Sequence, residues 1–481
     1  MRFIHKKISN STYFCISNNA LFYAKHSQVM NNLSTSKATK INLTDFKSIQ
    51  MRTFHLSWIA FFLCFFGWFS HAPLMKSTIA PDLALTKAQT TLAFIASVGV
   101  TIFARLLIGP LCDKIGPRKS YVYLLIFGAF AVAGSSFANT WETYLLSRLA
   151  IGVIGASFVI TQYHTSVMFA PNVIGIANAT TAGWGNLGGG VTNATMPLIA
   201  AGVTAFGFAE ATESWRIAMY VPAAIMLLVA FLYWKYTTDC PKGNYEDLPE
   251  ERPQTKKGEK GSFMAAASDK RVWILFFMYA GCFGMELFVT GKASTYYQEK
   301  FSLSQQAAGF IVLFFGAMNL FARSTGGWIA DRFGKNSGLN GRVKILVYVV
   351  VAEGLALLLF SQMDSLTLAV TSMVFFSLFV QMAEGATYSV VPFINRKALG
   401  AVAGIVGAGG NVGAVLYAQY LLRSGASLQE AFFAFGFIVA AVGFLGLLVR
   451  FTAEEEQAAK DEQKKLEDLQ KEFDSLETSN S

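Results

Sequence analysis

The sequence predicts an all-α membrane protein with twelve transmembrane helices, arranged as two six-helix halves that repeat one another. Three observations lead to this fold class. Only 14% of the 481 residues are charged, whereas soluble proteins carry about 25% to cover a water-facing surface. Hydrophobic residues make up 53% of the chain and fall into runs of about 20 residues, the length of a membrane-crossing helix. Two short motifs each occur once in either half of the chain.

The apolar runs, and the Gly, Pro and charged residues that separate them, predict where each helix begins and ends. The predicted helices 1 to 12 are 56–75, 88–109, 120–138, 143–169, 173–202, 215–236, 271–292, 305–330, 343–361, 366–391, 399–422 and 430–451. An even number of spans places both termini on the same side of the membrane.

Basic residues in the connections predict which side this is. Clusters of Lys and Arg follow predicted helices 2, 8 and 10, and the positive-inside rule makes these connections cytoplasmic. We therefore expect a multi-pass protein of the plasma membrane with both termini in the cytoplasm. The clusters are Lys114, Arg118 and Lys119; Arg332, Lys335, Arg342 and Lys344; and Arg396 and Lys397.

The helices divide the chain into five segments. Residues 1–55 form a polar lead, predicted to be disordered and cytoplasmic, and residues 56–236 form the N-terminal six-helix half. A cytoplasmic central loop, 237–270, joins it to the C-terminal half, 271–451. The acidic tail, 452–481, is expected to be a charged, solvated cytoplasmic segment.

Several function classes are disfavoured by the sequence. The cysteines lack the spacing of a zinc site or a disulfide framework, and there is no GxxxxGK[ST] phosphate loop or nucleophile arrangement. Gly183, Gly185 and Gly188 match the GxGxxG dinucleotide pattern, but no strand precedes them. The net charge of +9 is explained by the basic connections, so no nucleic acid partner is expected. We predict no enzyme activity, no metal and no cofactor.

The internal repeat places two arginines at equivalent positions. GPLCDKIG at 109–116 follows Arg105, and GGWIADRFG at 326–334 follows Arg323. Parallel repeats of this kind place a substrate site between the halves, near the middle of the membrane. Because helical side chains tilt toward the N-terminus, both arginines are expected to lean toward that centre.

Two facing arginines predict a particular substrate. Arginine stays charged and presents a planar fork of donors, which fits a small planar oxyanion. The simpler alternative is that each arginine pairs with an intramembrane carboxylate, for which Glu286, Glu353 and Glu384 are available. We favour the anion site, because the two arginines are equivalent and intramembrane charges usually mark function.

Glycine runs in predicted helices 5 and 11 form a second repeated motif. AGWGNLGGG at 182–190 contains Asn186, and GIVGAGGNVG at 404–413 contains Asn411. Small residues let helix backbones approach closely, so most of these glycines are predicted packing or gating positions, whereas the two amides can donate to an anion. The glycines are Gly183, Gly185, Gly188, Gly189, Gly407, Gly409, Gly410 and Gly413.

Asp113 and Asp331 also recur, each in a Gly-rich and basic connection after one of the arginine-bearing helices. An acid that faces basic residues and a helix terminus can hold the cytoplasmic side in one conformation. We therefore predict that both aspartates are gating residues.

These motifs resemble those of a known family. The Asp, Gly and basic pattern after predicted helix 2 resembles the signature of the major facilitator superfamily. AGWGNLGGG and the second glycine run are similar to the nitrate signatures of its nitrate/nitrite porter family, especially the high-affinity nitrate transporters. Further similarity lies in FVITQYHTSVMF (158–169), SWRIAMYVP (214–222) and YAGCFGMEL (279–287).

The resemblance implies a transporter in which Arg105 and Arg323 clamp nitrate, with Tyr279 and Asn186 as further contacts and nitrite as a second substrate. It also implies that the glycine runs are surfaces that slide or rock during transport. The run in predicted helix 11 lacks the tryptophan of the helix 5 run, so Asn411 departs from the pattern while remaining a candidate contact.

Nitrate uptake needs an energy source. An inside-negative membrane potential opposes anion uptake by about 2.3 kcal/mol per 100 mV for each charge. Glu286 is the preferred proton carrier, because it shares a helix face with Tyr279 and burial favours the neutral form of a carboxyl. Glu384 and His164 are further candidates, although a packing role explains His164 more simply.

Two other functions stay open on the sequence. The first is a nitrate/nitrite exchanger that uses no proton. The second is a sensor that binds the anion without transport and signals through the acidic tail. The repeated aspartates and glycine runs favour a moving carrier over a sensor.

Overall fold

The computed structural model describes residues 37–169, 173–248, 260–395 and 399–461, together with residue 464. This part of the chain is almost entirely helical, and its β structure consists of two isolated bridges. Eleven of its helices are long and apolar enough to cross a membrane. The glycine-rich helix Ile174–Ala205 brings the spanning helices of the described chain to twelve, which confirms the predicted fold class.

The spanning helices are labelled in chain order. They are α1 Ile49–Phe69, α2 Lys87–Ile115, α3 Pro117–Gly134, α4 Trp141–Met168, α5 Ile174–Ala205, α6 Ser214–Tyr236, α7 Lys270–Lys300, α8 Gln305–Gly334, α9 Ser337–Ser361, α10 Leu366–Val390, α11 Leu399–Ser424 and α12 Leu428–Leu445. We call α1–α6 the N-half and α7–α12 the C-half. The side of the bundle where α1 begins and α12 ends is the terminal side, and the opposite side is the far side.

Side-chain caps mark several helix starts. Thr86 and Gln89 form reciprocal hydrogen bonds at the start of α2, and Ser427 and Glu430 do so at the start of α12. Such pairs satisfy backbone amides that the first turn of a helix leaves without a partner. Both caps lie on the far side, where they set the length of the connections between helices.

The α2–α3 and α8–α9 connections on the terminal side are both only a few residues long. Each has a glycine with positive φ: Gly116 at +88° lies between α2 and α3, and Gly338 at +69° is the second residue of α9 and marks the kink after α8. An L-residue with a side chain is strained in this backbone region, so glycine lets the chain reverse between two helices within a few residues.

The chain that follows each half folds back to cap its third helix. Asp239, after α6, accepts a hydrogen bond from the backbone N of Arg118 at 3.0 Å. Glu456, after α12, accepts one from the backbone N of Asn340 at 3.2 Å. The two carboxylates occupy equivalent places in the repeat, and we call them the α3 cap and the α9 cap.

The helix contacts follow the internal repeat. Within the halves, α1 packs on α5 and α7 packs on α11; between the halves, α2 packs on α11 and α5 packs on α8. Glycines make the close approaches possible. A Cβ at Gly188 would collide with the carbonyl oxygen of Phe62 on α1, and one at Gly413 would collide with that of Ala280 on α7. These contacts support the packing role predicted for the glycine runs.

Some helix boundaries differ from the prediction. α1 begins at Ile49 rather than at residue 56, and α2 continues to Ile115, so that Asp113 lies in a helix and not in a connection. α7 ends at Lys300 rather than at residue 292. The polar residues that mark loops in the sequence are here covered by other helices; Lys292, for example, is only 8% exposed.

The two ends of the chain are described only in part. Residues 1–36 of the predicted disordered lead lie outside the described residues, while the backbone N of Ala38 donates to Met168 O at 2.9 Å. In the tail, Glu455 pairs with Arg271 of α7 at 2.9 Å. The first part of the tail is therefore packed against the C-half and not fully solvated.

Candidate functional site: a buried arginine pair between the halves

Arg105 on α2 and Arg323 on α8 are both buried, with exposed fractions of 8% and 2%. Each lies on a helix that packs against a glycine-rich helix of the other half, because α2 contacts α11 and α8 contacts α5. The structure therefore places the two arginines on the two equivalent interfaces between the halves.

Arg323 has an acidic partner. Its Nη1 lies 2.5 Å from Oε2 of Glu384 on α10, and its Nη2 donates a hydrogen bond to the Tyr279 hydroxyl at 3.1 Å. The contact with Glu384 is a close ion pair without hydrogen-bond alignment, since neither Nη1 nor either Glu384 oxygen has a hydrogen-bonding partner. The simpler alternative from the sequence, an intramembrane ion pair, thus describes Arg323.

Glu286 lies beside this pair and is held by two amides. Its Oε1 accepts a hydrogen bond from Asn319 Nδ2 at 2.7 Å, and its Oε2 accepts one from Asn186 Nδ2 at 3.0 Å. Asn186 belongs to the N-half, so this second bond crosses the interface. Glu286 and Glu384 are also immediate neighbours, which gives the C-half side of the site two carboxyl groups.

Arg105 has a different environment. Its Nε and Nη1 each donate to a backbone carbonyl at 3.3 Å, that of Gly155 and that of Gly407. Its guanidinium carbon lies 5.2 Å from the ring centroid of Phe158 and 5.7 Å from that of Phe283. Its Nη2 has no hydrogen-bonding partner. In the part of the chain that the structure describes, no carboxylate pairs with Arg105.

Aromatic rings connect the two arginines. Tyr279, which accepts from Arg323, stacks on Phe283, which lies against Arg105, with 5.2 Å between the ring centroids. Tyr388 stands edge-on to Tyr279 at 5.2 Å and to Phe158 at 6.3 Å. The rings form an apolar wall around the cations, and such a wall strengthens the attraction of each cation for an anion because it excludes water.

Phe158, Phe283 and Tyr388 were not among the site residues predicted from the sequence. Phe283 lies one helical turn after Tyr279, and Tyr388 one turn after Glu384, so the spacing along each helix could have indicated both. Phe158 comes from the other half, and its position beside Arg105 has no signal in the local sequence.

Asn411 is buried, and neither atom of its amide group has a hydrogen-bonding partner. Within the described residues, Asn411 forms no hydrogen bond with either arginine. The neighbouring Gly407 contributes its carbonyl to Arg105. The other predicted glycines face helices: Gly183 faces α8, Gly185 and Gly188 face α1, and Gly189, Gly409, Gly410 and Gly413 face α7.

The remaining predicted residues lie elsewhere. His164 is held between the Tyr233 hydroxyl at 2.6 Å and the Thr238 carbonyl at 2.7 Å, which is the packing role that the sequence favoured. Asp331 pairs with Arg342 inside the C-half, so this contact does not join the two halves. The side chain of Asp113 lies outside the described residues.

Comparisons with known proteins agree with this architecture. Residues 57–416 match the family model described as Major Facilitator Superfamily. A bacterial homologue of the human lysosomal transporter Spinster, solved in an inward-facing and occupied conformation, shares the fold with a TM-score of 0.62 and 14% identity over 84% of this chain and 97% of that one.

Sequence relatives narrow the family. High affinity nitrate transporter 2.7 of Arabidopsis thaliana is 37% identical over 82% of this chain and 82% of its own length. The nitrate/nitrite transporter NrtP of Nostoc punctiforme is 28% identical over 77% of this chain and 86% of its own length. Together with the repeated arginines and glycine runs, these matches show that the chain belongs to the nitrate/nitrite porter family of the major facilitator superfamily.

Proposed function

We propose that this protein transports nitrate, and nitrite through the same site, into the cell together with protons. The observation that carries the proposal is the pair of buried arginines at equivalent positions of the two halves, bridged by one aromatic wall. The relatives named as nitrate transporters support nitrate as the substrate. We further propose that the protein lies in the plasma membrane with the terminal side in the cytoplasm, because the positive-inside rule assigns the basic connections to the cytoplasm.

Arg105 is suited to take the anion first. Its Nη2 has no partner, and its two carbonyl contacts are long, at 3.3 Å. A charge-assisted bond to an oxyanion is shorter and stronger than these neutral contacts. Nitrate is flat and has three equivalent oxygens, so it can accept from Arg105 and Arg323 on different edges while lying against the aromatic wall.

Arg323 is available to the anion only in competition with Glu384. The ion pair at 2.5 Å occupies one edge of the guanidinium group with a carboxylate, which has the charge and planar shape of nitrate. Protonation of Glu384 removes that charge and releases the edge. The proton and nitrate therefore favour each other's binding, and such coupling is what a symporter requires.

Charge balance supports the same order of events. Two arginines and two carboxylates, Glu286 and Glu384, leave the empty site neutral when all four are ionised. Nitrate alone would add an uncompensated negative charge in a low-dielectric interior, which is costly. One proton on a carboxyl restores neutrality. Both oxygens of Glu286 already accept amide hydrogens, so the contacts favour Glu384 over Glu286 as the carboxyl that takes it.

Alternating access is the proposed mode of movement. On the far side, Ser77 of the N-half donates to Gln298 of the C-half at 2.8 Å, and Lys87 pairs with Glu299 at 3.3 Å. These contacts close the far side in this conformation. Glycines of α5 also meet helices of the other half, Gly183 near Asn319 O and Gly190 against Gly316 of α8, and such small-residue contacts would let the halves rock and open the far side.

The purified protein in liposomes tests the proposal. Nitrate-evoked current and uptake are measured under separately imposed pH and voltage gradients. We expect nitrate to accumulate when the outside is acidic, and Glu384→Gln to abolish the dependence on the pH gradient. Glu353→Gln is the matched control, because Glu353 is a buried glutamate of the same half that contacts no arginine within the described residues.

Two results would contradict proton-coupled transport and indicate another function. Nitrate uptake that needs internal nitrite and ignores the pH gradient would identify an exchanger. Nitrate binding without turnover would identify a sensor. A pH response of Glu384→Gln equal to that of the wild type would remove this residue from the coupling.

A further inference from the structure

Lys292 is a buried cation that the proposed transport site does not use. It lies on α7 and is 8% exposed. Among the described residues its Nζ has one hydrogen bond, a long one to Thr91 Oγ1 on α2 at 3.5 Å, and it lies 5.7 Å from the ring centroid of Phe94. The contacts of Lys292 thus come from the opposite half of the protein.

No carboxylate forms an ion pair with Lys292 in the described part of the chain. Two acids of the far side are engaged by other lysines, because Glu299 pairs with Lys87 at 3.3 Å and Asp364 pairs with Lys300 at 3.1 Å. A cation in this position is costly unless it has a function.

Arg148 is a second buried cation on the far side. Arg148 on α4 is 6% exposed and donates from Nη1 to His71 Nδ1 at 3.1 Å and to the Trp68 carbonyl at 3.3 Å. It too has no acidic partner among the residues described. Arg148 and Glu299 are the charged groups that act on Lys292 electrostatically, and Glu299 is shared with Lys87. Lys292 and Arg148 are therefore two buried far-side cations that form no ion pair within the described residues.

Residue spacings on α7 and α2 give the distance of Lys292 from the arginine pair along the helix axes. On α7 it lies thirteen residues beyond Tyr279, or about 20 Å at 1.5 Å per residue. On α2, Thr91 precedes Arg105 by fourteen residues, which is about 21 Å. Lys292 thus lies at the interface between the halves, about 20 Å to the far side of the arginine pair, where an anion entering from that side would pass once the halves separate.

An aromatic contact separates Lys292 from the centre. Phe94 stands edge-on to Phe288 with 6.2 Å between their centroids, and it packs over Gly291. In this closed conformation the ammonium group rests on Phe94. Separation of α2 from α7 would remove Phe94 and Thr91 together and leave the ammonium group facing the opened route.

We propose that Lys292 forms a far-side capture site for a small monovalent oxyanion, filled before the anion reaches Arg105 and Arg323. This inference rests on the proposed function and adds a second binding position to it. On closure Phe94 displaces the anion inward and takes its place over the ammonium group.

Transport kinetics of Lys292→Met test the capture site. Nitrate uptake into liposomes is measured against external nitrate at low and high ionic strength. We expect the apparent KM of Lys292→Met to rise by at least about tenfold, because the variant lacks a positive charge that raises the local concentration of nitrate. Its maximal rate should stay within about twofold of that of the wild type. The KM of the wild type should rise with salt more steeply than that of the variant. Lys292→Arg should restore a low KM.

Lys300→Met is the matched control. Lys300 lies on the same helix, but its Nζ donates to the Met363 carbonyl at 2.6 Å and pairs with Asp364. The KM of Lys300→Met for nitrate should therefore equal that of the wild type. An unchanged KM in Lys292→Met, or a lower maximal rate at constant KM, overturns the capture site while nitrate transport by the wild type stands. A wild-type protein that carries no nitrate overturns the proposed function and this inference together.

Discussion

The two halves carry the same arginine in different surroundings. Arg105 of the N-half is held by carbonyls and aromatic rings, and no acid pairs with it in the described chain, whereas Arg323 of the C-half is paired with Glu384 and lies near Glu286. An internal repeat preserves the helix and the position, but the residues around each copy diverge. In the proposed mechanism this difference divides their roles: Arg105 can take an anion at any time, whereas Arg323 becomes available when Glu384 is protonated.

The largest expected effect is on transport itself. Arg105→Lys and Arg323→Lys each keep the charge but lose the planar fork. Since a hydrogen bond to a charged group contributes about 1.5–3 kcal/mol, we expect each variant to lower the kcat/KM for nitrate by about a hundredfold. Uptake measurements with both proteins folded, as judged by gel filtration, check this. Near-normal uptake by both would contradict the clamp.

Protein stability should separate the two arginines. Arg323→Met leaves Glu384 buried without its partner, and breaking a buried ion pair from one side costs about 3–5 kcal/mol. Arg105→Met leaves no unpaired carboxylate and should change stability much less. Thermal unfolding in detergent measures both. The double variant Arg323→Met, Glu384→Met should recover most of the lost stability, and equal losses for the two single variants would show that the surroundings do not differ in effect.

Nitrate binding should respond to pH through the C-half only. When the pH rises and Glu384 becomes charged, it competes for Arg323, so wild-type affinity is expected to fall. Glu384→Gln removes the competitor, and we expect its affinity at high pH to exceed that of the wild type by about tenfold. Equilibrium binding of labelled nitrate in detergent measures this. A pH dependence that persists in Glu384→Gln would point to another carboxyl.

The smallest effects are expected at the two terminal-side caps. Asp239→Asn and Glu456→Gln should each lower local stability by about 1 kcal/mol, because each weakens a hydrogen-bonded helix start. Hydrogen exchange of the Arg118 and Asn340 amides measures the two caps separately. Protection of both amides equal to that of the wild type would mean that neither carboxylate caps its helix.

The α3 cap should also respond to pH. Burial raises the pKa of Asp239, although hydrogen bonds from the backbone N of Tyr245 and of Arg118 lower it in part. A group whose pKa is higher in the folded protein stabilises the fold below its ordinary pKa and loses that contribution as the pH rises through the raised value. Protection of the Arg118 amide should therefore decrease with rising pH in the wild type and stay level in Asp239→Asn.

The sequence by itself determined the architecture and the positions of the two arginines. Apolar runs of membrane-spanning length leave a chain few alternatives to helices, since backbone groups in lipid must bond within their own segment. The repeat then places Arg105 and Arg323 on equivalent helices. The sequence predicted helix ends less well, because it was read as ending a helix at polar residues such as Lys292. The helix continues past Lys292, to Lys300, where neighbouring helices cover the polar side chains.

Only the tertiary structure decided which acid meets which arginine. Glu286, Glu353 and Glu384 lie on three different helices of the C-half, and the local sequence does not tell how far each helix is rotated about its axis. That rotation is set by packing, in which glycines of one helix meet the backbone of another. It turns Glu384 toward Arg323, leaves Glu353 without a hydrogen-bonding partner, and brings Phe158 from the N-half to Arg105.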